Sequence, residues 1–227
     1  MVDELRYLGH SAFYIRTGEY GILIDPFISQ NPNAKFDLRK DKVTHILLTH
    51  AHGDHMGDAI PIARQTGAVI VAVFELGNYC ASQGANAIPA GLGGEIKLEW
   101  GSVWLLPAFH TSSLADGSYA GVAVSILIEI NGVKLYHAGD TALNSEMKLI
   151  GEIYHPEYSM LPIGGHFTMG IKEAALAAKF LDSRFVIPMH YNTFDVIKAD
   201  PKEFESLIIK QNQTCCILNS GESIEIK

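Results

Sequence analysis

Apolar residues fall in short, strand-length blocks along most of the chain, separated by clusters of glycine, proline, asparagine and aspartate. The first two blocks, residues 5–16 and 21–26, flank Thr17-Gly18-Glu19-Tyr20, which predicts a hairpin. Residues 28–42 are polar, carry Asn31-Pro32-Asn33 and show no period, so they read as a long loop that could form the rim or lid of a site. Ile46-Leu47-Leu48 has the composition of a buried strand. Residues 58–65, closed by Gly67, then predict a helix, and a strand over 68–73 and a helix over 75–83 continue a β-α-β-α rhythm.

From 94 to 134 the pattern changes to successive strands with turns at Glu99-Trp100-Gly101-Ser102 and Asn131-Gly132, which predicts antiparallel sheet. The last third alternates again. Helices are expected near 145–153, 171–181 and 201–210, strands at 158–163 and 184–189, and a closing hairpin over 214–218 and 223–226. Strand-rich portions in both halves, with no linker-like tract between them, predict one α/β domain over residues 1–227. Its architecture is a four-layer αββα sandwich, two mixed β-sheets flanked by helices.

Composition narrows the class. With 227 residues and 48% hydrophobic content the chain can bury a full core. Its longest apolar stretches are strand-sized and its N-terminus has neither a basic n-region nor an apolar h-region, so no membrane span and a cytoplasmic location are expected. Three cysteines, two of them adjacent at Cys215-Cys216, give no disulfide framework. A net charge of -8 argues against a broad basic surface for nucleic acid; Lys35, Arg39, Lys40 and Lys42 in the long loop leave only a local route to it.

The chemistry is concentrated in Thr49-His50-Ala51-His52-Gly53-Asp54-His55, where an apolar strand runs out. His50 and His52, two residues apart on extended chain, point the same way; Gly53 permits a sharp turn, so Asp54 and His55 project from another direction. Two directions of approach suggest two metal positions. Imidazole and carboxylate donors suit zinc, and also manganese, nickel or iron. His110, Asp140 and His190 each end another apolar run, where layered α/β folds place their sites. Two divalent ions held by neutral histidines, two aspartates and a hydroxide leave a net positive centre, which suits an anionic substrate.

Further candidates flank these. Asp25 ends the second N-terminal strand and is expected to orient a ligand histidine from behind, as carboxylates do around metal sites. His10 either lines the site or is a hydrogen-bonded core residue. His166, in Gly164-Gly165-His166-Phe167-Thr168 ahead of a helix, either meets substrate or caps that helix. His45, His137 and His155 are read as structural.

Residues 49–55 match the His-x-His-x-Asp-His signature of the metallo-β-lactamase superfamily, and the chain resembles that family over essentially its whole length. Leu8-Gly9-His10-Ser11-Ala12-Phe13, Leu23-Ile24-Asp25-Pro26-Phe27, Ala138-Gly139-Asp140-Thr141 and Gly165-His166-Phe167-Thr168-Met169-Gly170 look more specifically like small metal-dependent hydrolases near the ascorbate-phosphate lactonase branch. The resemblance implies that His50, His52 and His110 bind one ion, that Asp54, His55 and His190 bind another, and that Asp140 bridges them. One or two divalent transition metal ions are thus expected.

The expected reaction is hydrolysis by a metal-bound hydroxide, with Asp54, His10 and His166 as the protein groups closest to the chemistry. A phosphodiester or other phosphate ester is favoured as substrate. A lactone or other cyclic ester is the alternative, and a non-catalytic metal or ligand sensor the second alternative. The partner is an anionic small molecule, and a homo-oligomer is compatible with everything above.

Overall fold

Strands form where the apolar blocks lie, and helices where those blocks give way to amphipathic stretches. The computed structural model describes residues 3–227. Its first half contains β1 (Glu4–Gly9), β2 (Ala12–Thr17), β3 (Tyr20–Ile24), β4 (His45–Leu47), α1 (Gly53–Met56), α2 (Ala59–Thr66), β5 (Val69–Val73), α3 (Phe74–Ser82) and β6 (Asn86–Ala90). The second half continues with β7 (Glu95–Leu98), β8 (Gly101–Pro107), β9 (Val124–Ile130), β10 (Val133–His137), α4 (Glu146–Tyr154) and β11 (Tyr158–Pro162). It closes with α5 (Ile171–Leu181), β12 (Phe185–Met189), α6 (Pro201–Ile209), β13 (Thr214–Cys215) and β14 (Ser223–Glu225).

One sheet has the order β14-β1-β2-β3-β4-β5-β6, the other β13-β12-β11-β10-β9-β8-β7. Both are mixed in the same way. Pairing is antiparallel from β14 to β3 and parallel from β3 to β6; in the other sheet it is antiparallel from β7 to β10 and parallel from β10 to β13. Helices α2 and α3 pack on the parallel side of the first sheet, and α5 and α6 on that of the second, as βαβ crossovers require. The result is the αββα arrangement. Central strands β4 and β11 are buried along their whole length, which is why they read as continuous apolar runs rather than alternating ones. No helix among the described residues is long and apolar enough to cross a membrane.

The structure corrects the sequence reading at three places. Residues 5–16 are two strands, β1 and β2, folded at His10-Ser11 with Leu5 opposite Ile15 and Tyr7 opposite Phe13. The turn is hidden in the sequence because its residues are buried too: His10 and Ser11 are 1% and 0% exposed. Strand β6 was not expected, since Pro89 interrupts it; an edge position tolerates the missing N–H. The closing hairpin does not exist. β13 pairs parallel with β12, whereas β14 crosses to the other sheet and pairs antiparallel with β1. Each segment covers an otherwise open sheet edge, a choice that alternation within a strand cannot announce.

His137 is structural: the Gly139 N–H donates to its Nδ1 at 3.1 Å, so its Nε2–H donates to the Ser11 carbonyl at 2.9 Å. His155 closes α4 in a left-handed conformation, and His45 packs edge-on against Trp100.

Candidate metal centre

Strand β4 ends at Leu47, just ahead of His50, and the backbone is again extended at His52 (φ -61°, ψ 148°). His50 and His52 therefore share a side, as alternation requires, and His50 Nε2 and His52 Nδ1 approach to 3.0 Å. His110, carried in by the segment after β8, brings its ring to 5.2 Å from both. The short helix α1 then turns Asp54 and His55 away from this group. They join His10, from the β1–β2 turn, and His190, from the end of β12, in a second cluster whose ligand atoms all lie within 4.8 Å of one another.

Asp140 stands between the two clusters. Its Oδ1 lies 3.1 Å from His55 Nε2, while its Oδ2 lies 3.2 Å from His190 Nε2 and 3.5 Å from His110 Nε2. Gly139 makes this position reachable: at φ +60° a side chain there would come within 2.9 Å of Thr49 and of the Val124 carbonyl.

Behind the ligands lies a buried support. Asp25, at the end of β3, accepts from the Thr49 N–H at 2.8 Å, from the Thr49 hydroxyl at 2.6 Å and from His55 Nδ1–H at 2.7 Å. The Thr49 oxygen in turn accepts from His50 Nδ1–H at 2.9 Å. Both imidazoles are thereby fixed with a proton on Nδ1 and with Nε2 directed into the centre.

The fold accepts local strain to aim these groups. His10, Asp25, His166 and His190 all have positive φ, between 44° and 58°, a region that residues other than glycine seldom enter. His10 is held from every side: its Nε2 is 3.0 Å from Asp54 Oδ2, its Nδ1 3.0 Å from Thr193 Oγ1, and its carbonyl accepts from the His190 N–H at 2.8 Å and the Tyr7 hydroxyl at 3.0 Å. His166 is not brought into either cluster. It is exposed on the turn after β11, edge-on to Phe167. Thr49 and Thr193 carry no motif of their own, so their support of the histidines escapes sequence reading; only the proximity of Thr49 to His50 hints at it.

Burial opposes charge on both Asp140 and His55, yet each holds it. The facing His55 and His190 keep the Asp140 carboxyl well below the usual carboxylate range, and Asp140 and Asp25 push His55 well above that of an imidazole. The centre is therefore a place where positive charge is stabilised. Its donors fit a metal ion: His55 Nε2, His190 Nε2 and Asp140 Oδ1 are buried without a hydrogen-bond partner, although each polar atom so left costs about 1–3 kcal/mol. Nitrogen and carboxylate oxygen in this combination are transition-metal donors.

The chain matches the model of the beta-lactamase superfamily domain over residues 4–190. It is 45% identical over 228 residues to a UPF0173 metal-dependent hydrolase of Bacillus thuringiensis subsp. konkukian, covering 98% of this chain and 100% of that one. A UPF0173 metal-dependent hydrolase of Thermococcus onnurineus is 46% identical over 226 residues, with 98% and 99% covered. Among solved structures, Igni18, a metallo hydrolase from the hyperthermophilic archaeon Ignicoccus hospitalis, shares 40% identity at a TM-score of 0.92, covering 100% of this chain and 99% of its own. Sequence along nearly the whole length and the two layered sheets thus agree, and the chain belongs to the metallo-β-lactamase superfamily.

Proposed function

We propose that this metal-dependent hydrolase cleaves a phosphodiester or other phosphate ester. The observation that carries the reading is the position of Asp140, whose carboxylate faces imidazoles of both clusters. One ion is assigned to His50, His52 and His110, a second to Asp54, His55 and His190, with Asp140 shared. When bound, two neighbouring ions supply Lewis acidity and an acidified water as nucleophile, a combination suited to displacement at phosphorus.

The protein groups divide the remaining work. Burial pushes the His10 imidazole down to about 4, so it is neutral near pH 7; its Nε2–H donates to Asp54 and its Nδ1 accepts from the Thr193 hydroxyl. With both ring nitrogens engaged, His10 orients Asp54 rather than passing a proton to a leaving group. Asp54 itself stays ionised: burial opposes this, but His10 and His55 hold its carboxyl below the usual range. His166, exposed on its turn, is assigned the substrate-facing role.

Metal content by elemental analysis, alongside turnover of bis(p-nitrophenyl) phosphate and of a chromogenic lactone, tests the reading. About two ions per chain and phosphodiester turnover that a chelator abolishes are expected. Lactone turnover alone would replace the ester class. Full metal content with neither activity would favour a ligand sensor.

A further inference from the structure

Against His10 lies a cavity of about 480 Å³, within the range of small-molecule sites. Three loops wall it, bringing Asn33 and Lys35, Tyr191 and Thr193, and Ser220 around the opening. Its connection to the centre is direct, because His10 forms one wall while its Nε2 bonds Asp54 and its Nδ1 bonds Thr193 of the opposite wall.

The charge of this cavity is unlike that of the molecule. The chain carries 25 acidic residues against 17 lysines and arginines, yet no carboxylate lines the cavity and Lys35 does. Lys35 is placed by its surroundings: its stem lies flat on Gly221, where an added Cβ would meet Lys35 Cδ at 2.9 Å. Glu222 is close enough for Lys35 to help hold its carboxyl low, but its hydrogen bonds go to Asn219, whose backbone and side-chain N–H groups donate to it at 2.8 and 3.1 Å. Asn33, Thr193 and Ser220 add side-chain polar groups to the same lining.

We infer that this cavity is a second substrate subsite, taking an anionic group, phosphate or carboxylate, at the end of the substrate remote from the scissile bond. Lys35 supplies the counter-charge, Asn33 an amide donor, and Thr193 and Ser220 hydroxyls. The orientation of the substrate rests on the hydrolase reading above; the binding of an anion in the cavity does not.

Amide shifts of the zinc-loaded protein, titrated with inorganic phosphate, test this. Saturable shifts are expected at residues 33–35, 192–193 and 219–220, with Lys35→Glu weakening that response at least tenfold while the shifts around His52 and His110 persist. Shifts confined to His52 and His110, or a cavity response unchanged in Lys35→Glu, would overturn the subsite. Acetate in place of phosphate separates the two anion classes. Because the titration needs no turnover, phosphate in the cavity without phosphodiester cleavage would sink the ester reading and leave the subsite standing, and the reverse pattern would do the opposite. Where an ester is cleaved, Lys35→Glu is expected to reduce the preference for a substrate bearing a remote charge over its neutral counterpart about tenfold.

Discussion

The two ligand clusters are built by different means. His50 and His52 come from one extended stretch and need only His110 from elsewhere; His52 is half-buried, and the His110 side chain is 13% exposed. The other cluster collects His10, Asp54, His55 and His190 from three distant parts of the chain and seals its histidines, with the side chains of His10 and His55 at 0% and that of His190 at 1% exposure, while Asp54 keeps an outer edge at 29%. It also has the more direct support, since Asp25 accepts from the ring of His55 itself, whereas His50 is held one step further on, through Thr49. A local cluster needs a strand end, whereas a sealed one needs the folded molecule. The sealed cluster should therefore hold its ion more tightly and return more stability to the fold when it does, because buried ionisable groups are costly until they are compensated.

Asp140 is where the contrast can be broken most completely. Asp140→Ala removes the carboxylate common to both clusters and should lower turnover about a thousandfold, roughly 4 kcal/mol of barrier, with elemental analysis showing loss from both positions. Loss of one ion only would show that the carboxylate is not shared. Stripping metal with a chelator should come next in size. Ions present at about a thousand times their Kd stabilise by about 4 kcal/mol, so Tm is expected to fall by roughly 10 °C in a calorimetric scan. His52→Ala should keep most of that sensitivity and His55→Ala should lose it; the opposite order would reverse the ranking of the two clusters.

The smaller effects sharpen the same comparison. Asp25→Asn is expected to weaken metal binding at the sealed cluster about 10- to 100-fold, read by competition with a chromogenic chelator, while the His50–His52–His110 position holds. Thr193→Val deletes a single hydrogen bond to His10 and should cost about 1 kcal/mol of metal affinity, with His10→Gln retaining more affinity than His10→Ala. His166→Ala should reduce kcat/KM by about tenfold, less than the roughly hundredfold lower bound for a general acid–base group because His166 lies exposed outside both clusters, and leave metal content alone.

The same division separates what could be read early from what could not. The His50–Asp54–His55 run is legible because four donors lie within six residues and their directions follow from one strand end and one glycine. His110, Asp140 and His190 are legible more weakly, each as a polar residue closing an apolar run. His10 stayed open between two roles, since nothing in Gly9-His10-Ser11 says that β1 folds back there or that the imidazole meets Asp54, 44 residues away. Asp25 looked like a support from its place at a strand end, but its partners, His55 on α1 and Thr49 beyond β4, come from segments far along the chain.

By itself, then, the sequence determined the strand and helix content, the layered fold class and the chemistry of the ligands, because periodicity and local spacing express which side of an element is buried and which donors share it. Only the tertiary structure decided that β13 and β14 close different sheets, that a turn hides inside residues 5–16, that His10 belongs to the sealed cluster and that a carboxylate-free cavity opens beside it. The physical reason is common to all four: pairing at a sheet edge and the meeting of loops depend on surfaces far apart in the chain, and no local pattern records which of them will touch.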